Sequence, residues 1–379
     1  MGGECRSRQT PNSEIIETHS LPTLTHCFPR NFTFYVAHPS RSIRPPLAGK
    51  LSTAFNILLT TIPNNQRWRR IRLQSRLRYF FSLTVCACAF GLGIAEARSV
   101  DALPLRSVRG PEVTLHYVTL GHGEPVVMVH GGLEDYRAWT AQLPLLATHY
   151  RAIAYSRRYN FPNRNVTRPA EVYSAQVDAD DLTMLIDKLH LGRVHLVGHS
   201  YGGLGALLFA TEHPEHVRSL TLSEPPVLPW VEGQPAGDAL VQDFFQRCWI
   251  PVGRALARHE RVGALAIAAK YFTGNSLLPP AARAALEPNM QEWEVLTVSG
   301  KPFPVPSAES IKALHVPVLL LTGDHTLPLL KRCVAAVTAR FPKSQVVTVR
   351  NATHDMWSEK PQICGAALRN FLRKSSQAH

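Results

Sequence analysis

Cysteine is scarce in this chain of 379 residues, and its spacing argues against a disulfide-stabilised protein and against a cysteine-ligated metal site. Only three of the seven cysteines follow residue 97, and they are too widely separated to predict a disulfide framework. Cys86 and Cys88 lie close together, but they sit in an apolar run without partner ligands, so no metal site is predicted. The seven are Cys5, Cys27, Cys86, Cys88, Cys248, Cys333 and Cys364.

A strong basic surplus is absent from most of the chain, although the formal net charge is +13. Residues 1–97 hold 12 Lys and Arg against 4 Asp and Glu, whereas the remainder holds 29 against 24. The surplus is therefore concentrated in an N-terminal extension. A nucleic-acid partner, which needs a basic face on the folded domain, is not expected.

Long hydrophobic runs are also few, and the longest lies in this extension. Residues 1–66 show no sustained periodicity and are predicted to be poorly ordered. A basic stretch then precedes the 17-residue apolar run from Tyr79 to Ala95, and Ala95-Glu96-Ala97 offers a signal-peptidase site. We expect residues 67–97 to be a signal peptide, giving a periplasmic or secreted protein, or a membrane anchor acting through 79–95. A start site assigned too far upstream would explain its late position.

Strand and helix patterns alternate from about residue 105, which predicts a mostly parallel sheet covered on both faces. The strand signal stops between 226 and 312, where Ala, Leu, Pro and aromatic residues dominate. We interpret 105–225 and 313–374 as an α/β core and 226–312 as a helical insertion. The predicted strands are 113–118, 125–129, 151–155, 194–197, 217–222, 316–322 and 345–349, and the predicted helices are 174–189, 328–340 and 360–373.

The stretch Gly198-His199-Ser200-Tyr201-Gly202-Gly203 follows an apolar strand and leads into a helical pattern. A G-x-S-x-G sequence in that setting is typical of a nucleophile elbow, in which the serine adopts a strained conformation at a sharp turn. Ser200 would stand at the helix N-terminus. There the N–H of Tyr201 and the helix dipole favour a developing oxyanion.

Four segments together resemble the α/β-hydrolase superfamily, in the branch with a serine nucleophile and a helical cap. They are His130-Gly131-Gly132, Gly198 to Gly203, Thr322-Gly323-Asp324 and Asn351-Ala352-Thr353-His354. The resemblance spans about residues 110–373. It implies a doubly wound α/β sheet with an inserted cap, and a catalytic triad in the chain order serine, acid, histidine.

The resemblance assigns Ser200 as nucleophile and His354, between the last strand and the last helix, as its general base. Asp324 follows an apolar strand and is the preferred acid. Glu224 also ends a strand, and some members of the superfamily place the acid there, so it remains the alternative. His199 is expected to pack inside the elbow.

The resemblance also assigns two backbone donors to an oxyanion hole. One is the N–H of Tyr201, and the other is that of Gly132, with Leu133 as the neighbouring alternative. His130 is expected to anchor this loop by hydrogen bonds. Where many relatives carry an aspartate and an R-G-x-G turn, this chain has Ser156-Arg157-Arg158. We expect these arginines to pair with scaffold carboxylates rather than with an anionic substrate.

These residues predict a serine hydrolase that cleaves carboxylic esters or related acyl compounds through an acyl-enzyme, without a metal or organic cofactor. The cap aromatics predict a small to medium, partly apolar substrate. The same triad would also serve C–C bond hydrolysis, perhydrolysis or aminopeptidase action, and a non-catalytic binding module is a third reading. Serine at position 200 argues against the epoxide hydrolase and haloalkane dehalogenase branches, which need a carboxylate nucleophile. The oligomeric state is not predicted.

Overall fold

The computed structural model describes residues 103–167 and 172–377. The predictions made for 1–66 and 67–97 lie outside these residues. No helix within the described part has both the length and the hydrophobicity needed to cross a membrane.

An eight-stranded sheet organises the described residues, with the spatial order β1-β2-β4-β3-β5-β6-β7-β8. The pairs β1–β2 and β2–β4 are antiparallel, and all other neighbours are parallel. The strands are β1 (Arg106–Arg109), β2 (Thr114–Leu120), β3 (Glu124–Val129), β4 (Tyr150–Tyr155), β5 (Val194–His199), β6 (Val217–Ser223), β7 (Val318–Gly323) and β8 (Gln345–Val349).

Helices cover both faces of this sheet. The core helices are α1 (Leu143–Leu146), α2 (Ala175–Lys188), α3 (Ser200–Glu212), α11 (Pro328–Arg340), α12 (Met356–Glu359) and α13 (Pro361–Gln377). A further helix, α10 (Ala308–Ala313), lies at the boundary between the insertion and the core. The insertion holds α4 (Leu228–Val231), α5 (Gly237–Phe244), α6 (Ile250–Ala257), α7 (Arg261–Thr273), α8 (Pro280–Leu286) and α9 (Met290–Leu296). A π-helical turn, Phe245–Trp249, joins α5 to α6.

The fold class predicted from the sequence is confirmed, and seven of the eight strands coincide with predicted ones to within a few residues. The exception is β1, which was not predicted. It has four residues, three of them exposed, and it pairs only at the sheet edge, so no apolar run reveals it. Between β6 and β7 every regular element is helical, as the end of the strand signal indicated.

Burial is greatest near the centre of the sheet. All six residues of β5 are buried, because helices pack on both of its faces. Parallel strands bring their carboxyl ends to one edge of a sheet, where ligands bind in open α/β folds. Here β3, β5, β6, β7 and β8 all end at that edge, and every predicted site residue lies in a segment that follows one of them.

Candidate active site

Ser200 lies at the junction of β5 and α3 in a strained backbone conformation. Its φ is +50°, in the left-handed region that non-glycine residues seldom adopt. The flanking glycines permit this turn because a Cβ on Gly198 would lie 2.6 Å from the Cα of Gly203, and one on Gly202 would lie 2.1 Å from the carbonyl oxygen of His130. The predicted elbow geometry is therefore present.

The structure brings His354 to Ser200 across 154 positions of sequence. The Nε2 atom of His354 lies 2.9 Å from Ser200 Oγ, and its Nδ1 atom lies 2.6 Å from Glu224 Oε2. The ring of Phe272, from the insertion, stacks on the imidazole with a centroid distance of 5.8 Å and an interplanar angle of 20°. A serine, an imidazole and a carboxylate thus form one hydrogen-bonded series, the geometry in which an imidazole activates a serine hydroxyl.

Glu224 is fully buried directly after β6 and accepts four hydrogen bonds. Oε1 accepts from the Thr322 hydroxyl (2.9 Å) and the Gly323 N–H (2.8 Å), while Oε2 accepts from the Thr326 hydroxyl (2.7 Å) and His354. Burial alone would raise the pKa of Glu224, but these donors more than offset it and lower the pKa below its usual value. The carboxylate is therefore ionised and fixed against the imidazole.

The preference for Asp324 as the acid is corrected by this geometry. The Asp324 side chain is 34% exposed, and among the described residues it has no hydrogen bond or ion pair with His354, which pairs with Glu224 instead. Its Oδ1 accepts the backbone N–H of Ala352 at 3.2 Å, and donors from Asn351 and Ala352 lower its pKa. Asp324 therefore stabilises the turn before His354, and Glu224, the alternative acid, occupies the position beside the imidazole.

The His130-Gly131-Gly132 loop follows β3 and is held on both sides of Gly132. The Gly131 N–H donates to Glu134 Oε2 at 2.7 Å, and the Leu133 N–H donates to Glu292 Oε2 at 2.9 Å. Among the described residues the Gly132 N–H has no hydrogen-bond partner, so it is free to donate toward the cavity. Leu133 is unsuited to the alternative role because its N–H is already engaged.

His130 anchors this loop by hydrogen bonds, as the sequence predicted. Its Nδ1 lies 2.9 Å from the carbonyl oxygen of Gly131, and its Nε2 lies 2.9 Å from the N–H of Arg157. Complete burial and the nearby Arg157 charge lower the pKa of His130 to about 3. The ring is thus neutral, with Nδ1 donating and Nε2 accepting, and it does not take part in proton transfer.

His199 forms a second imidazole–carboxylate pair beside the first. Its Nδ1 lies 3.3 Å from Glu134 Oε2, and its Nε2 lies 3.1 Å from the carbonyl oxygen of His354. Both ring nitrogens face acceptors, which only the imidazolium satisfies. Burial lowers the pKa of His199, but the Glu134 carboxylate raises it above its usual value overall. The pair is therefore ionised and joins the loops that carry Gly131 and His354.

We expect Glu134→Gln to flatten the acid limb of the stability profile. Although burial opposes ionisation, His199 and the Gly131 N–H lower the Glu134 pKa from 4.5 to about 2. Its stabilising effect is complete above pH 4.5 and is lost as the pH falls toward 2. Between pH 5 and 3 the free energy of unfolding should fall by about 1–2 kcal/mol more in the wild type than in the variant.

Urea unfolding at pH 5 and pH 3 measures this difference. In the wild type, His199 is protonated in the folded and unfolded states throughout that range, so it does not contribute to the wild-type loss. Equal losses of stability in the two proteins would contradict the ionised pair.

Arg157 and Arg158 pair with scaffold carboxylates, which confirms that prediction. Arg157 is fully buried and contacts Asp178 at 2.7 Å and Glu292 by a short hydrogen bond. Burial opposes its charge, but Glu292 and Asp178 raise the Arg157 pKa well above its usual value. Arg158 contacts Asp181 at 2.7 Å. Neither arginine lines the cavity at Ser200.

A cavity of about 480 Å³ opens onto Ser200 and His354. Its walls are largely apolar side chains of the insertion, among them Phe244, Trp249, Leu265, Tyr271, Phe272 and Trp293. Of the described residues that line it, none is Lys or Arg, and its carboxylates are Glu134 and Asp355. The cavity therefore suits an apolar group without negative charge.

Sequence reasoning missed three charged residues around this site: Glu134, Asp178 and Glu292. Glu134 is only two residues beyond the loop His130-Gly131-Gly132, called the glycine loop below, so its position in the sequence could have indicated a role at this site. Asp178 lies on an amphipathic helix, where solvated carboxylates are common, yet it is buried against Arg157. Glu292 lies 159 positions from the loop that it contacts, and no local pattern indicates that contact.

Comparison with known proteins agrees with this fold. The family described as alpha/beta hydrolase fold matches residues 124–361. The chain therefore belongs to the α/β-hydrolase fold family. Within the described residues no group of three or more His, Cys, Asp or Glu side chains is arranged to hold a metal ion.

Individual relatives are similar over parts of their length. The chain is 30% identical to Epoxide hydrolase 2 of Siraitia grosvenorii over 44% of this chain and 54% of that protein. It is 38% identical to 2-hydroxy-6-oxo-2,4-heptadienoate hydrolase of Pseudomonas putida over 30% of this chain and 41% of the relative. The chain thus spans about half or less of the length of these curated relatives.

Solved structures show the same fold at low sequence identity. Carboxylesterase CesB from Bacillus subtilis superposes with a TM-score of 0.57 and 19% identity, covering 79% of this chain and 98% of that one. This likeness establishes the fold alone.

Proposed function

We propose that this protein is a serine hydrolase of neutral carboxylic esters with an apolar acyl group, acting through a Ser200–His354–Glu224 triad. The observation that carries the proposal is the hydrogen-bonded series from Ser200 Oγ through His354 to Glu224 at the floor of an apolar cavity. Ser200, rather than a carboxylate, at the elbow distinguishes this site from the branches that use an aspartate nucleophile.

In the proposed reaction, Ser200 Oγ attacks the ester carbonyl carbon while its proton passes to His354 Nε2. Glu224 stabilises the imidazolium that forms, and the N–H groups of Gly132 and Tyr201 donate to the oxyanion. The carbon–oxygen bond of the leaving alcohol then breaks, and the alcohol takes the proton from His354. A water molecule, deprotonated by His354, hydrolyses the acyl-enzyme and restores Ser200.

Labelling of the full chain with a fluorophosphonate tests the activated serine. We expect the wild type to react and to hydrolyse p-nitrophenyl esters, and the Ser200→Ala variant to lose both properties. A folded wild-type protein that takes no label would contradict the proposal and would favour a binding module on the hydrolase fold.

The lining of the cavity predicts strong discrimination by charge. A carboxylate at the far end of the acyl chain would be buried without a cation, because His199 is already neutralised by Glu134 and none of the described residues that line the cavity is Lys or Arg. We expect kcat/KM for p-nitrophenyl hexanoate to exceed that for the p-nitrophenyl monoester of adipic acid by about 100-fold or more. The two acyl chains have the same number of carbon atoms, so the comparison isolates the charge.

This comparison also separates the alternative reaction. The Pseudomonas putida relative is named for a heptadienoate, which is a carboxylate, and its similarity keeps C–C bond hydrolysis as a second candidate function. An enzyme for such substrates needs a cation near the substrate carboxylate. Equal or better hydrolysis of the adipate monoester would favour that candidate over a neutral ester.

A further inference from the structure

Glu292 is a fully buried carboxylate of the insertion that the proposed reaction does not use. It lies in α9, and its partners all belong to the α/β core: the Leu133 N–H at 2.9 Å, the Asn160 side-chain amide at 2.8 Å and the Arg157 guanidinium. A buried charge requires such partners, but this set is unusual because one of them is the backbone of the glycine loop beside Ser200.

The glycine loop is held between two carboxylates. Glu134 accepts the N–H before Gly132, and Glu292 accepts the N–H after it. Leu133 itself has a φ of +61°, a conformation that persists only where its surroundings enforce it. The bond from Leu133 to Glu292 contributes to that constraint, because it holds the peptide unit that follows Gly132.

Two further contacts connect the same loop to α9. Arg157 donates to the carbonyl oxygen of Gly131 at 3.0 Å while it pairs with Glu292. The indole Nε1 of Trp293 lies 3.1 Å from the place where a Cβ on Gly132 would be. The insertion therefore contacts the loop through adjacent residues, one ionic and one aromatic.

We propose that Glu292 is a positioning residue that aims the Gly132 N–H at the oxyanion, so that the donor pair is complete only when α9 is seated on the core. This inference depends on the proposed serine hydrolase function. Its physical basis is that an oxyanion donor acts through orientation: losing one such donor costs about 10²–10³-fold in kcat, and a displacement of about 1 Å can cost about 10²-fold. Glu292 touches no substrate atom and acts only through the loop.

Glu292→Gln tests this role because it preserves shape but weakens the acceptor for Leu133 and removes the charge that holds Arg157. We expect kcat for p-nitrophenyl hexanoate to fall about 10- to 100-fold while KM stays within about threefold. Affinity for a trifluoromethyl ketone, which forms a tetrahedral oxyanion on Ser200, should fall by the same factor as kcat. The matched control is Glu294→Gln in the same helix, whose carboxylate pairs with exposed Arg261, and it should leave all three values unchanged.

The outcomes separate this inference from the proposed function. A wild type without Ser200-dependent turnover overturns the proposed function and the positioning role together. An active wild type, with a folded Glu292→Gln variant that loses stability but keeps kcat and ketone affinity, overturns the positioning role alone.

If Glu292→Gln does not fold, Asn160→Ala tests the positioning role instead, because it removes only one donor to the same carboxylate oxygen. A severalfold parallel loss of kcat and ketone affinity with unchanged KM supports the role, and unchanged values overturn it.

Discussion

Replacement of Glu224 by glutamine is expected to lower kcat by about 10³–10⁴-fold, the scale seen when a triad acid becomes an amide. The glutamine side chain can turn its NH₂ group toward His354 Nδ1. The imidazole would then carry its proton on Nε2, and it could not accept a proton from Ser200. Ester turnover at saturating substrate measures the loss, and the unfolding temperature shows that the variant is folded.

Asp324→Asn is the matched control, because both carboxylates follow neighbouring strands but only Glu224 contacts His354. Its oxygen can still accept the Ala352 N–H, so we expect kcat to stay within about threefold of the wild type. A loss in Asp324→Asn as large as that in Glu224→Gln would restore Asp324 as the acid and refute the assignment made from the geometry.

The choice between these two acids depends on strand register, which the sequence does not display. In the β6–β7 pairing Ser223 lies opposite Leu321. Glu224 consequently comes level with Thr322, while Asp324 lies two residues further along its strand and the turn that follows. The backbone of Glu224 also has a φ of +49°, which redirects its side chain. Without the strand register and the backbone conformation of Glu224, the sequence does not distinguish the two acidic residues that follow these adjacent strands.

Local patterns account for the parts of the site that were predicted. The elbow needs a strand, a turn and a helix within about a dozen consecutive residues, and each has its own signal in the residues around Ser200. The position of His354 between β8 and α13 likewise follows from strand and helix periodicity. The partners of Arg157 do not follow from local patterns, because Glu292 is 135 positions away. The sequence indicates that the partner is a carboxylate, but it does not indicate which one.

Replacement of Arg157 by methionine is expected to lower the free energy of unfolding by about 3–5 kcal/mol, the range found when one member of a buried ion pair is removed. The guanidinium is fully buried and is the only cation in ion-pair contact with Asp178 and Glu292 among the described residues. Methionine fills part of the volume but leaves both carboxylates without their cation. It also removes the donors to the carbonyl oxygens of His130 and Gly131. Urea unfolding at pH 7 measures the change.

Two comparisons show that this loss arises from buried charge. Arg258→Met removes a bidentate pair with Glu260 in which both side chains are exposed, so the free energy of unfolding should change far less than in Arg157→Met. Adding Asp178→Asn to Arg157→Met should recover part of the loss, because the amide removes one stranded charge and still accepts the Tyr173 hydroxyl, which donates to Asp178 at 2.6 Å. If the double variant is instead less stable than Arg157→Met alone, the loss comes from packing around the methionine rather than from unpaired carboxylates.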